Sequence, residues 1–471
     1  MKQLTQAIIL GIMLGGCSLA PNYSRPDVPL AEKWINVALK EQQDQQLKAA
    51  ELGWREFFRD PRLQKLIETA LAHNHDLKKA ALNVELSQAQ HGIVRADRLP
   101  TLGLNGSFTR AKSRGLISEQ YKVGLGISNF ELDFFGRVKS QSEAALNKYL
   151  ATKEARDAAQ LSVINAVAKT YYQWRVANAL KNLSKKTLHS RQKSSQLIQL
   201  RFKEGLASGI DVSTARSSIE TARSDYQQQL RNAQQAENAL SMLVGQPLTQ
   251  LDLPEGASLL QQFPDKRLFA GIPSQILLKR PDIRQAEYAL KSANANIGAA
   301  RAAMFPIISL TASTGYASNA LSSLWDTPSR LWSFAPTINF PLFDMGKRRA
   351  NVKVSEINQK IVIADYQKTV QAAFRDVNDA LVARQTLSAQ YQAEKKRQKA
   401  TAQTLSLVKL QLQEGLADGL NLLDARRADY ATRQGLLATR LQMLNNRVDL
   451  YTALGGGLAE TKQQLVTTDK Q

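Results

Sequence analysis

The sequence predicts a mainly α-helical chain that also carries strands of a membrane β-barrel, the whole unit being written twice in tandem. Three observations predict it. First, Arg137–Glu204 and Lys347–Glu414 each run 68 residues without a Gly or Pro. At about 1.5 Å of rise per residue each specifies a rod of roughly 100 Å, whereas helices in globular domains average three or four turns. Second, each rod is preceded by two short segments in which apolar and small polar residues alternate, the period of a strand. Third, Gly136 and Gly346, Gly205 and Gly415, and Gly245 and Gly455 are each 210 apart, while Pro100 and Pro306 differ by 206. A fixed offset of this kind marks a duplication.

Residues 1–16 read as an export signal: Met1-Lys2 supplies the charge, and Ala7–Leu14 is an apolar core too short to span a bilayer. The following Leu14-Gly15-Gly16-Cys17 resembles a bacterial lipobox, which implies cleavage before Cys17 and diacylglycerol on its sulfur, an anchor rather than a span. In that resemblance Ser18 favours sorting to the outer membrane. Cys17 is the single cysteine, so an intrachain disulfide is excluded. Residues 17–61, with Pro21, Pro26, Pro29 and Pro61, read as an extended arm that turns helical after Asp60-Pro61.

The first repeat, 62–245, opens with a helix from Leu63 to about Arg98, where Leu63, Leu66, Ile67, Ala70 and Leu71 recur at helical spacing and Pro100 ends the run. Strands follow at about 101–110 and 120–134. Leu102, Leu104 and Phe108 alternate with Gly103, Asn105, Ser107 and Thr109, and Tyr121, Val123, Leu125 and Ile127 with Lys122, Gly124, Gly126 and Ser128. Runs of about ten residues match a tilted membrane strand, although a half-buried soluble hairpin alternates in the same way. The long helix 137–204 carries a stripe, Leu161, Ile164, Ala168, Tyr171, Trp174, Ala177, Leu180 and Leu183, spaced by threes and fours like a coiled coil. A turn at 205–209 leads to a helix over 210–244, then a proline-bearing connector, 246–279.

The second repeat, 280–457, follows the same order. After its opening helix come strands at about 307–316 and 333–343, a long helix 347–414, a turn 415–419 and a helix 420–454; 458–471 is a tail. Ile308, Leu310 and Ala312 alternate with Ser309, Thr311 and Ser313. Pro336 and Pro341 are expected to mark a strand end or bulge, because proline is poorly tolerated inside a sheet.

Two repeats supply four membrane-type strands, and open sheet edges are not tolerated in lipid. Barrels need about eight strands, so several chains must share one. Two chains would give a barrel filled by its own side chains, and three would leave room for a channel. A soluble coiled-coil protein has no reason to place an alternating hairpin before each rod.

The charge of +21 raises the possibility of nucleic-acid binding. Lys and Arg are dispersed, however, with only brief clusters such as Lys395-Lys396-Arg397, and no zinc-finger, RNA-recognition or helix-turn-helix pattern accompanies them; they read as solvated helix faces. Enzyme motifs are likewise missing: the sequence has no Gly-x-Ser-x-Gly run, phosphate loop or Cys/His cluster. His73 and His75 are two apart on a helix and point to different faces, so no metal site is assigned and no cofactor beyond the lipid on Cys17.

Several runs carry a family resemblance: Cys17-Ser18-Leu19-Ala20-Pro21-Asn22-Tyr23, Phe57-Phe58-Arg59-Asp60-Pro61-Arg62-Leu63, Phe130-Glu131-Leu132-Asp133-Phe134-Phe135-Gly136-Arg137, Lys279-Arg280-Pro281-Asp282-Ile283-Arg284, Asn294-Ala295-Asn296-Ile297-Gly298 and Leu454-Gly455-Gly456-Gly457. With these the chain resembles TolC-type outer-membrane factors, in their OprM-like lipoprotein multidrug-efflux branch. The resemblance implies a homotrimer with a twelve-stranded β-barrel in the outer membrane, continued by a twelve-helix α-barrel through the periplasm, with a mixed equatorial region that includes the connector. It implies an exit duct for drugs or other small molecules, working beside a periplasmic adaptor and an inner-membrane transporter of the RND type. A metal-ion or protein-secretion duct is the alternative within the family. Outside it, the alternative is a cell-envelope coiled-coil scaffold or adhesin that transports nothing.

The resemblance also implies two sites. The pentapeptides Gly205-Leu206-Ala207-Ser208-Gly209 and Gly415-Leu416-Ala417-Asp418-Gly419 would form the periplasmic tip that docks the adaptor, with Gly205, Leu206, Ala207, Gly415, Leu416 and Ala417 as its surface. Arg201 stands where the family's tip motif has an arginine, and Gln411 replaces it in the second copy. From the residues alone, the glycines read as helix terminators at positive φ. Asp424 and Arg427, three apart on one helix face, would belong to the polar network that closes the periplasmic aperture, with Leu420 narrowing it. Read without the family, they form an ordinary surface ion pair. Thr214 and Ser217 stand at the matching places of the first repeat, so the charge is confined to one copy.

Overall fold

The computed structural model describes residues 19–29, 46–48, 52–259, 262, 267–269 and 280–458. The signal sequence, Cys17 and the tail beyond Leu458 lie outside the described residues, as do parts of the arm and of the connector. In chain order the elements are β1 (Gln46–Lys48), α1 (Trp54–Phe57), α2 (Pro61–His73), α3 (His75–Ala96), β2 (Leu102–Ser113), β3 (Leu116–Glu131), α4 (Arg137–Lys203) and α5 (Gly209–Val244). They continue with β4 (Arg267–Phe269), α6 (Pro281–Ala302), β5 (Ile307–Ser318), β6 (Arg330–Asn339), α7 (Lys347–Gln413) and α8 (Gly419–Ala453). The two rods are thus continuous helices of 67 residues each.

Packing cuts across the sequence repeat. Among the described residues one compact unit takes 19–28, 81–155 and 282–369, and the other takes mainly 52–80, 156–259 and 370–458, so each draws on both repeats.

In the first unit the strands form one antiparallel sheet in the order β2-β3-β5-β6. Its register sorts the side chains. Leu104 stands opposite Leu125 and Phe108 opposite Tyr121; Val123 faces Tyr316 and Ile127 faces Ala312; Phe334 faces Ala312 and Ile338 faces Ile308. Directly opposed residues share a face, so all of these fall on one apolar face. Asn105, Ser107, Thr109, Lys122, Ser313 and Ser333 fall on the other. A bulge between Ile127 and Phe130 inserts one residue, bringing Phe130 back to the apolar face opposite Leu310. Asn129, at φ 54°, is the bulged residue, and its N–H donates to Thr311 Oγ1 at 3.2 Å.

The expected strand bounds shift. β3 starts earlier than 120 and stops at Glu131, because Asp133 already serves α4 by accepting the Lys139 N–H at 2.7 Å. β6 ends at Asn339, before Pro341. Pro336, expected at a strand end or bulge, instead lies inside β6 opposite Leu310. Within the single chain β6 is an edge strand, where a residue without an N–H is tolerated more readily than inside a sheet. In the same unit the arm runs beside α6: Asn294 Nδ2 donates to the Pro21 carbonyl at 2.7 Å, and Arg25 pairs with Glu287 at 2.6 Å. Leu82, Leu86 and Ile93 of α3 and Val354, Ile357 and Ile361 of α7 are exposed stripes in the single chain.

The second unit holds the main core. Trp54, Phe57, Phe58, Leu63, Leu66 and Ile67 pack with Ile164, Tyr171 and Tyr172 of α4, Leu240 of α5, Val377 of α7 and Val448 and Tyr451 of α8. The stripe predicted on α4 is therefore a core face over Leu161–Ala177. Asp60 explains the run that contains it. One carboxylate oxygen accepts the Arg62 N–H (3.0 Å) and so caps α2, while the other accepts the Tyr171 hydroxyl (2.7 Å). Burial first, then the Asp60 carboxylate, raises the Tyr171 pKa well above an ordinary phenol.

Two expectations fail here. The arm becomes helical before Asp60, at α1, where Trp54 and Phe57 supply buried anchors. The helix expected from Leu63 to Arg98 is two helices, broken at Asn74. Its Oδ1 accepts the Leu77 N–H (3.0 Å), and its Nδ2 donates to the Leu243 carbonyl of α5 (2.8 Å), so the side chain starts α3 and ties the break to α5.

Candidate functional site

The two turns that end the long helices are built alike. Leu206 N–H donates to Arg201 C=O at 2.8 Å and Gly205 N–H to Phe202 C=O at 3.1 Å; Leu416 and Gly415 do the same to Gln411 and Leu412 at 2.8 and 3.4 Å. This is a Schellman motif, which needs a left-handed residue, and Gly205 (φ 67°) and Gly415 (φ 74°) supply it. Ser208 then caps α5 in a box with Asp211, and Asp418 caps α8 through the Asn421 N–H at 2.8 Å. The Ser208 backbone N–H holds the Asp211 carboxyl below its ordinary pKa. Arg201 thus enters the turn through its carbonyl, which explains why Gln411 serves equally well in the second copy.

Both turns expose apolar side chains among polar ones such as Arg201, Lys203 and Glu414. Leu197, Leu200, Leu206 and Ile210 are exposed, and so are Leu407, Leu410, Leu416 and Leu420, each 210 residues later. Exposed leucines of this size, duplicated and clustered at a turn, form a patch suited to a partner. The wider patch was missed from sequence; the repeat offset applied to Leu197, Leu200 and Ile210 is the signal that finds it.

Asp424 and Arg427 pair within α8, Oδ1 to Nη1 at 3.6 Å, with side chains 64% and 69% exposed. Among the described residues neither makes a hydrogen bond or ion pair to another helix. The contacts that fasten α8 come from its neighbours: Arg426 Nη1 donates to Ser194 Oγ of α4 at 2.6 Å, and the Tyr430 hydroxyl donates to Asp225 of α5. Burial first, then the Asp225 hydrogen bond, raises the Tyr430 pKa well above that of a free phenol. Burial also lowers the Arg426 pKa. Sequence reasoning missed Tyr430, Asp225, Arg426 and Ser194. Tyr430 follows Arg427 by three residues and so extends the same face, but no local pattern points to partners 205 and 232 positions away.

A model of the family described as outer membrane efflux protein matches residues 66–246 and 272–456. The antibiotic efflux pump outer membrane protein ArpC of Pseudomonas putida is 40% identical over 98% of this chain and 97% of its own length. The solvent efflux pump outer membrane protein SrpC of Pseudomonas putida is 42% identical over 95% of this chain and 96% of its own. Among solved structures, the open state of the Neisseria gonorrhoeae MtrE outer membrane channel superposes with a TM-score of 0.86 at 42% identity, covering 94% of this chain and 99% of that one.

Proposed function

The chain belongs to the outer membrane efflux protein family, and from that premise we propose that it is the outer-membrane exit duct of a tripartite efflux pump for drugs and apolar solvents. One observation carries this reading: a four-stranded sheet with one face apolar over most of its length, charged only towards the ends holding Arg110, Glu119 and Arg330, one polar face and two unpaired edges, β2 and β6. In lipid such edges must be paired. Three copies joined edge to edge make twelve strands, with the polar face around an aqueous lumen, and the long helices of the three copies make a twelve-helix wall. The exposed stripes on α3 and α7 are then the seams between copies. Lipid on Cys17 anchors the arm. The protein forming discrete ion-conducting pores in planar bilayers, and drug sensitivity on deletion of its gene, are the expected results. Trimers that insert but never conduct would favour a non-transporting scaffold.

In this reading the Schellman turns and their leucines dock a periplasmic adaptor, which couples the duct to an RND-type transporter. Valine in place of both Gly205 and Gly415 is expected to abolish pump-dependent resistance while trimers still reach the outer membrane. A β-branched residue at positive φ costs at least about 1–2 kcal/mol and reshapes the turn, yet no atom lies within 4 Å of a Cβ added at either glycine, so the core is spared. Full resistance in the double variant would defeat the docking assignment.

The periplasmic gate comprises Asp424, Arg427 and Leu420, with Tyr430–Asp225 and Arg426–Ser194 as the latches that hold α8 shut. Tyr430→Phe is expected to open the channel more than Asp424→Ala does. A hydrogen bond to a carboxylate contributes about 1.5–3 kcal/mol, whereas an exposed ion pair contributes about 0.2–1 kcal/mol. Vancomycin susceptibility and open probability read the difference, and the reverse ranking would move the gate back onto the Asp424–Arg427 pair.

A further inference from the structure

We propose that a cavity beside Arg191 is a binding site for a tetrahedral oxyanion of the sulfate or phosphate class, held where α4, α5 and α8 meet. The cavity, of about 460 Å³, is lined by Arg191, Arg427, Ser213, Thr214, Ser217 and Asp225 among others. The α5 hydroxyls sit at helical spacing, so they converge on one side of it.

Arg191 is the residue that demands a ligand. Its side chain belongs to a residue only 8% exposed, and its Nη1 has no hydrogen-bond partner among the described residues. Burial first, then the like charges of Arg426 and Arg427, lowers its pKa, but a guanidinium stays protonated throughout the physiological range. A buried charge without a counter-charge is costly. No described carboxylate forms an ion pair with Arg191: Asp225 lines the same cavity but bonds Tyr430 and Gln229, and Asp424 pairs with Arg427 on the exposed surface. Beside the Asp225 carboxylate the cavity therefore combines the Arg191 fork with its unpartnered Nη1, the Arg427 guanidinium that Asp424 shares, and the hydroxyls of Ser213, Thr214 and Ser217, a donor set that suits an oxyanion.

Such an anion would neutralise the repulsion among Arg191, Arg426 and Arg427 and so favour the arrangement in which Arg426 reaches Ser194. Its effect on opening rests on the gate reading above; its binding does not. By linkage, an anion that prefers the latched arrangement shifts the channel towards it.

The test uses the full-length protein, with sodium sulfate exchanged for sodium gluconate at equal ionic strength. Sulfate stabilises folded proteins generally, so the readout is the difference between wild type and Arg191→Gln. The wild-type unfolding midpoint is expected to rise by several degrees more than that of Arg191→Gln, and wild-type opening frequency in bilayers to fall severalfold. Ser217→Asp supplies a carboxylate inside the cavity; it is expected to raise the sulfate-free midpoint and erase the specific sulfate response, which keeps the site testable if Arg191→Gln folds poorly. Equal sulfate shifts in wild type and Arg191→Gln, or in wild type and Ser217→Asp, would overturn the site. A channel that never conducts defeats the duct reading while the midpoint shifts still judge the site.

Discussion

Tyr451→Ala is expected to destabilise the helical unit by about 3–5 kcal/mol, the range for deleting a large buried aromatic. The residue is wholly buried near the end of α8. Its ring stacks on Phe57 with centroids 3.9 Å apart and planes 8° from parallel, and Phe58 meets it edge-on at 6.0 Å. Its hydroxyl donates to the Leu52 carbonyl at 2.7 Å. Alanine would leave a cavity under α1 and strip a buried carbonyl of its donor. Gly456, which packs directly against the ring, has no side chain with which to fill the gap. Tyr451→Phe separates the two contributions: it keeps the stack and loses one hydrogen bond, at a cost of about 0.5–1.5 kcal/mol. Urea unfolding followed by far-UV circular dichroism measures both. If the alanine variant falls within about 1 kcal/mol of the phenylalanine variant, Tyr451 does not anchor the segment from Leu52 to Phe58.

Arginine at position 108 is expected to prevent recovery of folded protein from outer membranes, whereas arginine at position 109 leaves recovery near wild type. The two residues are neighbours in the middle of β2 and point to opposite faces. Phe108 is exposed on the apolar face, with its ring 4.7 Å from Tyr121, and Thr109 is paired with Gln120 on the polar face. An arginine on the lipid face costs up to about 2–4 kcal/mol, most where no counter-charge is near, while lumen positions accept charge. The Arg110–Glu119 pair farther along the same face does not offer a counter-charge at Phe108. In the proposed trimer the penalty falls three times on one barrel. Equal recovery of Phe108→Arg and Thr109→Arg would mean that the apolar face does not meet lipid.

The tip turns read clearly from sequence because everything they need is local. A glycine at positive φ, a Ser or Asp three residues on and a following helix are set within ten positions, and both copies repeat them. The break at Asn74 was not legible, since half of its cause is a carbonyl 169 residues away. Pro336 misled for a similar reason: whether a proline disrupts a strand depends on whether that strand lies at an edge, which is a property of sheet order. Of the proposed gate, spacing showed Asp424 and Arg427 as one exposed pair, and Leu420 came from the family resemblance. Tyr430 and Arg426, on the same helix, gain their roles from Asp225 and Ser194, and nothing in the spacing of either helix points to those partners.

By itself the sequence determined the periods: two long uninterrupted helices, four alternating strands, the turns that join them and the tandem offset. These follow from hydrophobic spacing and from the restricted backbone of Gly and Pro, which act over a few residues. Only the tertiary structure decided that the packing units cut across the repeats, that Phe57 and Phe58 seat against Tyr451, and that Arg191 is buried beside a hydroxyl-lined cavity. Each of these depends on the rotation of one helix against another. A helix turns by about 100° per residue, so the face a side chain presents to a distant segment is settled only when the helices pack.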